Sequence, residues 1–460
     1  MNIVILGAGH VGLHCAKVLS KEENNVILID KDARQLEIAS REIDVATRLG
    51  DGTDWQLLEE LTELNPEIFL ALTGSDETNL AACAIAKNLG YEQTIASVKH
   101  ARFLNCSRID FGRVFYVDHF VSPDLLTAEE IYQCIVSPGS IGSESFAHGS
   151  VQMRTFVVPK KWRKVDKKLM ELSLPAGMMV GLISRDATGG GTGKGNASMK
   201  NMRCFFPHGE DSISHGDEVT IIGESDAIAG AHQFFGIIQK TVQSAVIIGG
   251  SLIGLQLAKI LERRGISVRL IEKDFDKCSV LAERLANTTV LHHDGTDFGF
   301  LQSEKVGNAD VFVACTGSDE VNLLAAILGK EAGCEYVVTV TSDTLYIPVL
   351  TRLGIRHAVS PRINAVNRIL SITQRETVAS MVSLYEGKAE VMEIRVSMDS
   401  RLAGIPISEL GPQLPHDFLI AIIQNRGRIM VANGNRILSP GDTVIAITDP
   451  RHLKDLRQLF

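Results

Sequence analysis

Through residues 2–120, short runs of aliphatic and β-branched residues alternate with segments whose apolar positions recur at helical spacing. Such alternation predicts β-α-β units and a parallel sheet. Strands are expected near 2–6, 26–30, 45–49, 67–72, 94–98 and 114–117, and again near 245–248, 267–271, 289–292, 310–315, 337–341 and 357–359. Six strands with helices between them fit a doubly wound nucleotide-binding sheet in each half. Pro123 and Pro361 each follow a serine and open a helical run, as proline does at the first helical position behind a serine cap. Beyond those helices the pattern changes: 150–158, 178–184 and 218–223, and then 390–396, 418–424 and 442–448, read as strands without a long helix between each pair. The fold class is α/β, with each half a large doubly wound unit followed by a small α+β unit.

The halves are copies. Val4–Gly12 reappears as Val246–Gly254, 242 positions later. Thr73-Gly74-Ser75-Asp76-Glu77-Thr78-Asn79-Leu80 returns as Thr316-Gly317-Ser318-Asp319-Glu320-Val321-Asn322-Leu323, with seven identities in eight. Asp51–Asp54 matches Asp294–Asp297, and Val121-Ser122-Pro123 matches Val359-Ser360-Pro361. A repeat this long is a tandem duplication, not a solenoid. The expected units are 1–138, 146–240, 243–375 and 377–460. Only the first small unit carries a glycine-rich insert, 188–198, expected to form a mobile hairpin tip.

Composition narrows the function classes. Apolar residues at 45% and charged residues at 22% describe a globular chain. The 46 basic against 55 acidic residues, a net charge of −9, give no global reason to bind nucleic acid. Every long apolar stretch breaks well short of a bilayer span, and Met1-Asn2 enters a strand-like run without a signal sequence. Eight cysteines without a C-x-x-C pair agree with a reduced, cytoplasmic, metal-free protein.

The candidate chemistry lies at the glycine turns. Gly7, Gly9 and Gly12, with Ala8, His10 and Val11 between them, form G-x-G-x-x-G directly after an apolar strand. Gly7 permits the tight turn, Gly9 lets backbone approach a pyrophosphate, and Gly12 lets helix pack on strand, while the helix N-terminus presents free N–H groups to the anion. Asp30 ends the second strand, placed to accept both ribose hydroxyls. Its charge would repel a 2′-phosphate, which favours NAD(H) or an adenine nucleotide such as ATP or ADP over NADP(H); Lys31 softens this without reversing it. In the second half the turn reads Gly249-Gly250-Ser251-Leu252-Ile253-Gly254 and the acid is Glu272. Ser251 adds a Cβ where a pyrophosphate would lie but also a hydroxyl able to donate to phosphate, so both readings stand.

Thr73 and Gly74, like Thr316 and Gly317, end the fourth strands on the same edge and are expected to border the crevice, with Ser75 or Asp76 capping the next helix. Asp51 and Asp294 follow the third strands, where an Asp-Gly turn is favoured over a ligand contact. His292-His293-Asp294 lacks a fourth ligand nearby and is not read as a metal site. The insert is not a P-loop, because Lys194 precedes Gly195 rather than Ser or Thr. Lys160–Lys168 holds six basic residues in nine, enough for a local anionic contact, though a solvated surface is favoured. Hydride transfer needs a positioned acid/base and an arginine for substrate, and no such set assembles, so no catalytic residue is assigned.

Taken together, the turn Gly7–Gly12 with Asp30, the paired octapeptides, the Ser-Pro helix starts and the order large-small-large-small resemble the TrkA family, over essentially all 460 residues. The resemblance implies tandem RCK (KTN) domains, each a Rossmann-like N-lobe and a C-lobe. It also implies a homotetrameric ring of RCK domains on the inner face of the membrane, docked on a TrkH-type potassium-translocating subunit. Activity would be regulated by bound nucleotide, with the helices at Pro123 and Pro361 as hinge or pairing surface. Two residues depart from the family pattern: Ser97 stands where an arginine faces the pyrophosphate, with Lys99 nearby as a substitute charge, and Ser251 stands in the second turn. The runner-up readings are a soluble NAD-dependent oxidoreductase and a nucleotide sensor for a different cation transporter.

Overall fold

The computed structural model describes residues 1–460 except 22–23, 105–107, 137–139, 187–201, 238–240, 356, 374–377, 386–387, 412–413, 416, 454–455 and 457–458. The glycine-rich insert therefore lies outside the described residues.

The first large lobe comprises β1 (Asn2–Leu6), α1 (His10–Lys21), β2 (Asn25–Asp30), α2 (Ala33–Glu42), β3 (Ala46–Leu49), α3 (Trp55–Glu60), β4 (Ile68–Ala71), α4 (Asp76–Asn88), β5 (Gln93–Ser97), α5 (Phe111–Val114), β6 (His119–Val121) and α6 (Pro123–Val136). Its strands form a parallel sheet ordered β3-β2-β1-β4-β5-β6, the doubly wound order that opens a crevice where the chain direction reverses beside β1. Ile3 to Leu6 and Ile68 to Ala71 are all buried because helices cover both faces of the sheet. The strand expected at 114–117 is instead the end of α5 and a turn, and the edge strand is β6. Asp110 caps α5 by accepting from the Arg113 N–H, and Tyr116 turns at φ 53°. The apolar run there exists because Val117 is buried and Phe115 packs on the core below the sheet, not because it is a strand.

The first small lobe follows as β7 (Ser140–Phe146), β8 (Val151–Val157), β9 (Met178–Asp186), β10 (Met202–Phe205) and β11 (Glu218–Glu224), then α7 (Ser225–Ala229) and α8 (Ala231–Phe234). The second large lobe repeats the first: β12 (Ser244–Ile248), α9 (Leu252–Arg263), β13 (Ser267–Glu272), α10 (Phe275–Arg284), β14 (Thr289–His292), α11 (Phe298–Ser303), β15 (Val311–Ala314), α12 (Asp319–Glu331), β16 (Val337–Val340), α13 (Ile347–Arg352), β17 (His357–Val359) and α14 (Pro361–Thr373). Its sheet order is β14-β13-β12-β15-β16-β17. The second small lobe holds β18 (Val378–Leu384), β19 (Ala389–Arg395), β20 (Phe418–Asn425), β21 (Arg428–Val431) and β22 (Thr443–Thr448). The two small sheets, β10-β9-β11-β8-β7 and β18-β19-β22-β20-β21, share one antiparallel topology. They pack face to face through Leu182, Ile222, Ile422 and Ile447. Gly181 permits this approach, since a Cβ there would lie 2.5 Å from Ile447 Cδ1.

The large lobes are joined by an exchange of helices. Ala128, Ile131 and Ile135 of α6 lie in the buried cluster of the second sheet, with Ile247, Leu257 and Val313. Ala365, Val366, Ile369 and Leu370 of α14 lie in the cluster of the first sheet, with Ile3, Ile5, Leu19 and Leu70. The Tyr336 hydroxyl pins the exchange by donating to the Cys134 carbonyl at 2.6 Å. The Ser-Pro helices are thus the pairing surface between the halves.

Where α6 passes into β7, Glu130 and Glu144 line a cavity of about 640 Å³ between α6, α9 and α14. Burial pushes Glu130 up to about 7, against the lowering influence of the nearby Asn364 amide, and burial together with Glu130 pushes Glu144 up to about 8. A carboxyl raised in the folded state costs nothing below its unfolded value, and the penalty grows as pH rises through the folded value. Glu144→Gln is therefore expected to leave the melting temperature unchanged at pH 4, below the unfolded value, and to raise it by a few degrees at pH 9, read from thermal melts across that range.

Candidate functional site

At the carboxyl edge of the first sheet, Gly7, Gly9, Asp30, Asp51, Thr73 and Gly74 line one crevice of about 400 Å³, together with Lys31 and Ser75. Its size falls in the usual range for small-molecule sites. Gly7 turns at φ +105°, and Gly12 lies so near it that a Cβ on Gly12 would meet the Gly7 carbonyl oxygen at 1.9 Å. A Cβ on Gly9 would meet nothing within 4 Å. Gly9 stands at the cap of α1, its carbonyl accepting from the Leu13 N–H at 2.9 Å. Glycine has no side chain to satisfy the first-turn amides, so they face the crevice for an anion. Ala8 and Gly12 are buried behind the turn, while His10 is exposed and Val11 half-buried at its flank.

Asp30 is partly committed: its Oδ2 accepts from the Ala8 N–H at 2.6 Å and its Oδ1 from the Asp32 N–H at 2.9 Å. A carboxylate has about four acceptor sites, so each oxygen keeps a lone pair for a ribose hydroxyl. Asp51 forms the expected turn, its Oδ1 accepting from the Thr53 N–H at 2.9 Å and hydroxyl at 2.8 Å. Those bonds, the N–H first, hold its carboxyl below the ordinary range. Asp294 does the same with Thr296, the hydroxyl acting first.

Thr73 borders the crevice, but its hydroxyl donates to Asn79 Oδ1 at 2.6 Å, where its N–H also donates at 2.9 Å. The Asn79 amide donates in turn to the carbonyls of Thr73 and Ser97. Asn322 repeats this with Thr316 and Val340. Ser75 caps α4 by accepting from the Thr78 N–H at 3.1 Å. Asp76 does something else: buried, it accepts from the N–H groups of Lys99 and His100 at 2.9 and 3.0 Å, with the His100 ring at 2.7 Å. Burial pushes its carboxyl up, and those donors more than reverse the effect, leaving it below the ordinary range. Asp76 and Asn79 thereby clamp the loop after β5, which places the Lys99 ammonium 2.8 Å from the Gly74 carbonyl at the crevice mouth. Asn79 and Asn322 were not singled out from the sequence, although their identity within the two octapeptides was the available signal.

The second turn is built differently. Gly249 turns at φ +105°, and a Cβ on Gly254 would lie 2.2 Å from its carbonyl oxygen. Ser251 stands at the cap of α9, its Oγ accepting from the Gly254 N–H at 3.2 Å and donating to the Cys315 carbonyl at 2.6 Å. The hydroxyl that the sequence left able to donate to phosphate is thus committed within the lobe. Leu252 is half-buried, Ile253 is buried, Gly317 is exposed and Glu272 is 8% exposed. Glu272 accepts from the N–H groups of Gly250 at 2.7 Å and Asp274 at 3.0 Å.

His292 lies 3.0 Å from the Lys273 carbonyl and His293 3.0 Å from Asp297 Oδ2, so the adjacent rings point to different partners. In the basic segment Trp162 is buried and its indole N–H donates to the Phe234 carbonyl, while Lys160, Lys161, Arg163, Lys167 and Lys168 are exposed around it. Among the described residues no helix is long and apolar enough to cross a membrane.

Two Rossmann-like lobes with glycine turns, each followed by a small antiparallel lobe, define a tandem doubly wound α/β protein. The TrkA-N domain family matches residues 3–123 and again 245–361, and the TrkA-C domain family matches 391–460. The chain belongs to the TrkA family. A Trk system potassium uptake protein TrkA homolog 1 from Methanosarcina mazei is 30% identical over 471 residues, spanning all of both chains. The GsuK RCK domain superposes with a TM-score of 0.61 at 16% identity, covering 100% of this chain and 94% of that one. A GsuK channel bound to NAD gives 0.62 at 17% identity, covering 100% of this chain and 78% of that one.

Proposed function

We propose that the chain is a nucleotide-binding regulatory subunit of a potassium-uptake system, acting by binding rather than by catalysis. The first crevice carries this reading: an uncapped helix start at Gly9, open space above it, and Asp30 lining the same crevice. These residues fit NAD(H), and equally ATP or ADP, which share the adenosine ribose and phosphates. The amides of α1 would hold the phosphates, Asp30 the ribose, and Lys99 would supply the positive charge that Ser97 lacks. Relatives matched along their whole length carry the name of potassium uptake proteins, and the fold is shared with an RCK protein solved with NAD.

The partner is a TrkH-type membrane subunit, and the chain acts at the cytoplasmic face as a ring of four copies. Leu345, Val349 and Leu353, exposed on and beside α13, give that ring an apolar surface to bury. The exchanged helices supply the coupling, because α14 packs on the sheet that carries the first crevice while belonging to the other half. A nucleotide regulates only through different affinity for two lobe arrangements, and ~1.4 kcal/mol of difference shifts the population tenfold. Gly9→Asp puts bulk and negative charge against the phosphate position. In cells lacking their own copy, wild type is expected to restore rubidium uptake and Gly9→Asp to alter it by about tenfold or more. Uptake indifferent to both would overturn the reading.

A further inference from the structure

We infer that Ser251 is a built-in substitute for the ligand of the second Rossmann lobe, so that each chain carries one nucleotide-responsive lobe and one fixed lobe. The inference rests on the nucleotide reading of the first crevice and assigns its regulation to that lobe alone.

Gly9 and Ser251 occupy the same place. Each is the cap of the helix that follows the first strand of its lobe, its carbonyl accepting from the fourth residue on, Leu13 or Leu255, at 2.9 Å. Above Gly9 there is open space, and the amides of α1 have no capping side chain beside them. At Ser251 the hydroxyl fills that place and ties the two walls together: it accepts from Gly254 N–H on α9 and donates to the Cys315 carbonyl just past β15. A phosphate seated there in the first lobe would draw together the same two walls, α1 and the end of β4. Because a hydroxyl has one proton, and Cys315 holds it, Ser251 presents only a lone pair to an incoming phosphate oxygen.

A second change alters the packing behind the same turn. Ala8 and Ala39 of the first lobe correspond to Gly250 and Leu281 in the second. Leu281 Cδ1 would lie 2.4 Å from a Cβ on Gly250, so the leucine fills, behind the turn, the space that Ala8 occupies in the first lobe. The ribose acid differs as well, since Glu272 is buried where Asp30 is half-buried.

The test is calorimetric titration of the full-length chain with NADH and with ATP, read as nucleotides bound per chain. One per chain is expected for wild type, none for Gly9→Asp, and two for Ser251→Gly combined with Leu281→Ala, the second binding within about tenfold of the first. Two per chain in wild type, with one surviving Gly9→Asp, would overturn the inference and leave the nucleotide reading standing. None in wild type would instead remove the nucleotide reading on which it rests. The wild-type count decides the matter even if the double variant folds poorly.

Discussion

Gly12→Ala is expected to abolish nucleotide binding and to cost the first Rossmann lobe about 3 kcal/mol. The added Cβ would lie 1.9 Å from the Gly7 carbonyl oxygen, a backbone atom that cannot rotate aside. Gly7 has no room to yield, since its φ is +105° and a Cβ on it would lie 2.9 Å from the backbone of Leu72. Helix α1 must therefore tilt off β1, carrying its first-turn amides away from the phosphate position. Gly254→Ala meets Gly249 at 2.2 Å and is expected to destabilise the second lobe comparably. Nucleotide affinity should then change by no more than about twofold, because the first crevice is untouched. Denaturant titration followed by lobe-resolved hydrogen exchange, with calorimetry for binding, separates the two variants. Equal loss of binding in both would mean that the second turn contributes to the site.

Ile369→Ala is expected to loosen the first lobe by about 2–5 kcal/mol, although Ile369 belongs to the second half of the chain. Its side chain is fully buried in one cluster with Ile3, Ile5, Leu19 and Leu70. Ile131→Ala mirrors it, since Ile131 lies fully buried with Ile247, Leu257 and Val313. Hydrogen exchange should accelerate at β1 and β4 in the first variant and at β12 and β15 in the second. Acceleration confined to each helix's own half would show that the helices are not exchanged in solution. The same arrangement explains how an event in one crevice reaches the other half without a separate relay: a displaced sheet moves a helix rooted in its neighbour.

Much of this plan is written in local sequence. The duplication, the parallel strand-helix alternation, the glycine turns and the acids ending the second strands all follow from spacing over a few residues, because steric and periodic constraints act along the chain. Registering the halves on Val121-Ser122-Pro123 and Val359-Ser360-Pro361 would also have placed β6 correctly, since β17 was read at 357–359. Besides β6, four strands among the described residues escaped the reading, β7, β10, β18 and β21. All four lie at sheet edges, where one-sided pairing leaves no continuous apolar run, as in Ser140–Phe146.

Other features are decided only in three dimensions. Asn79 bonds Thr73 six positions away and Ser97 eighteen away, and nothing in an asparagine's neighbours states which carbonyls it will meet. The apolar stripe of α6 says that the helix must be buried, but after a duplication two similar sheets compete for it, and the packing choice belongs to the assembled chain. Ser251 likewise carried two readings, donor to phosphate or obstacle to it. The fold settles the direction of its single proton by placing the Cys315 carbonyl 2.6 Å away. Local sequence set the element types and the residues at the turns, whereas contacts between distant residues set which helix covers which sheet and which polar groups remain free for a ligand.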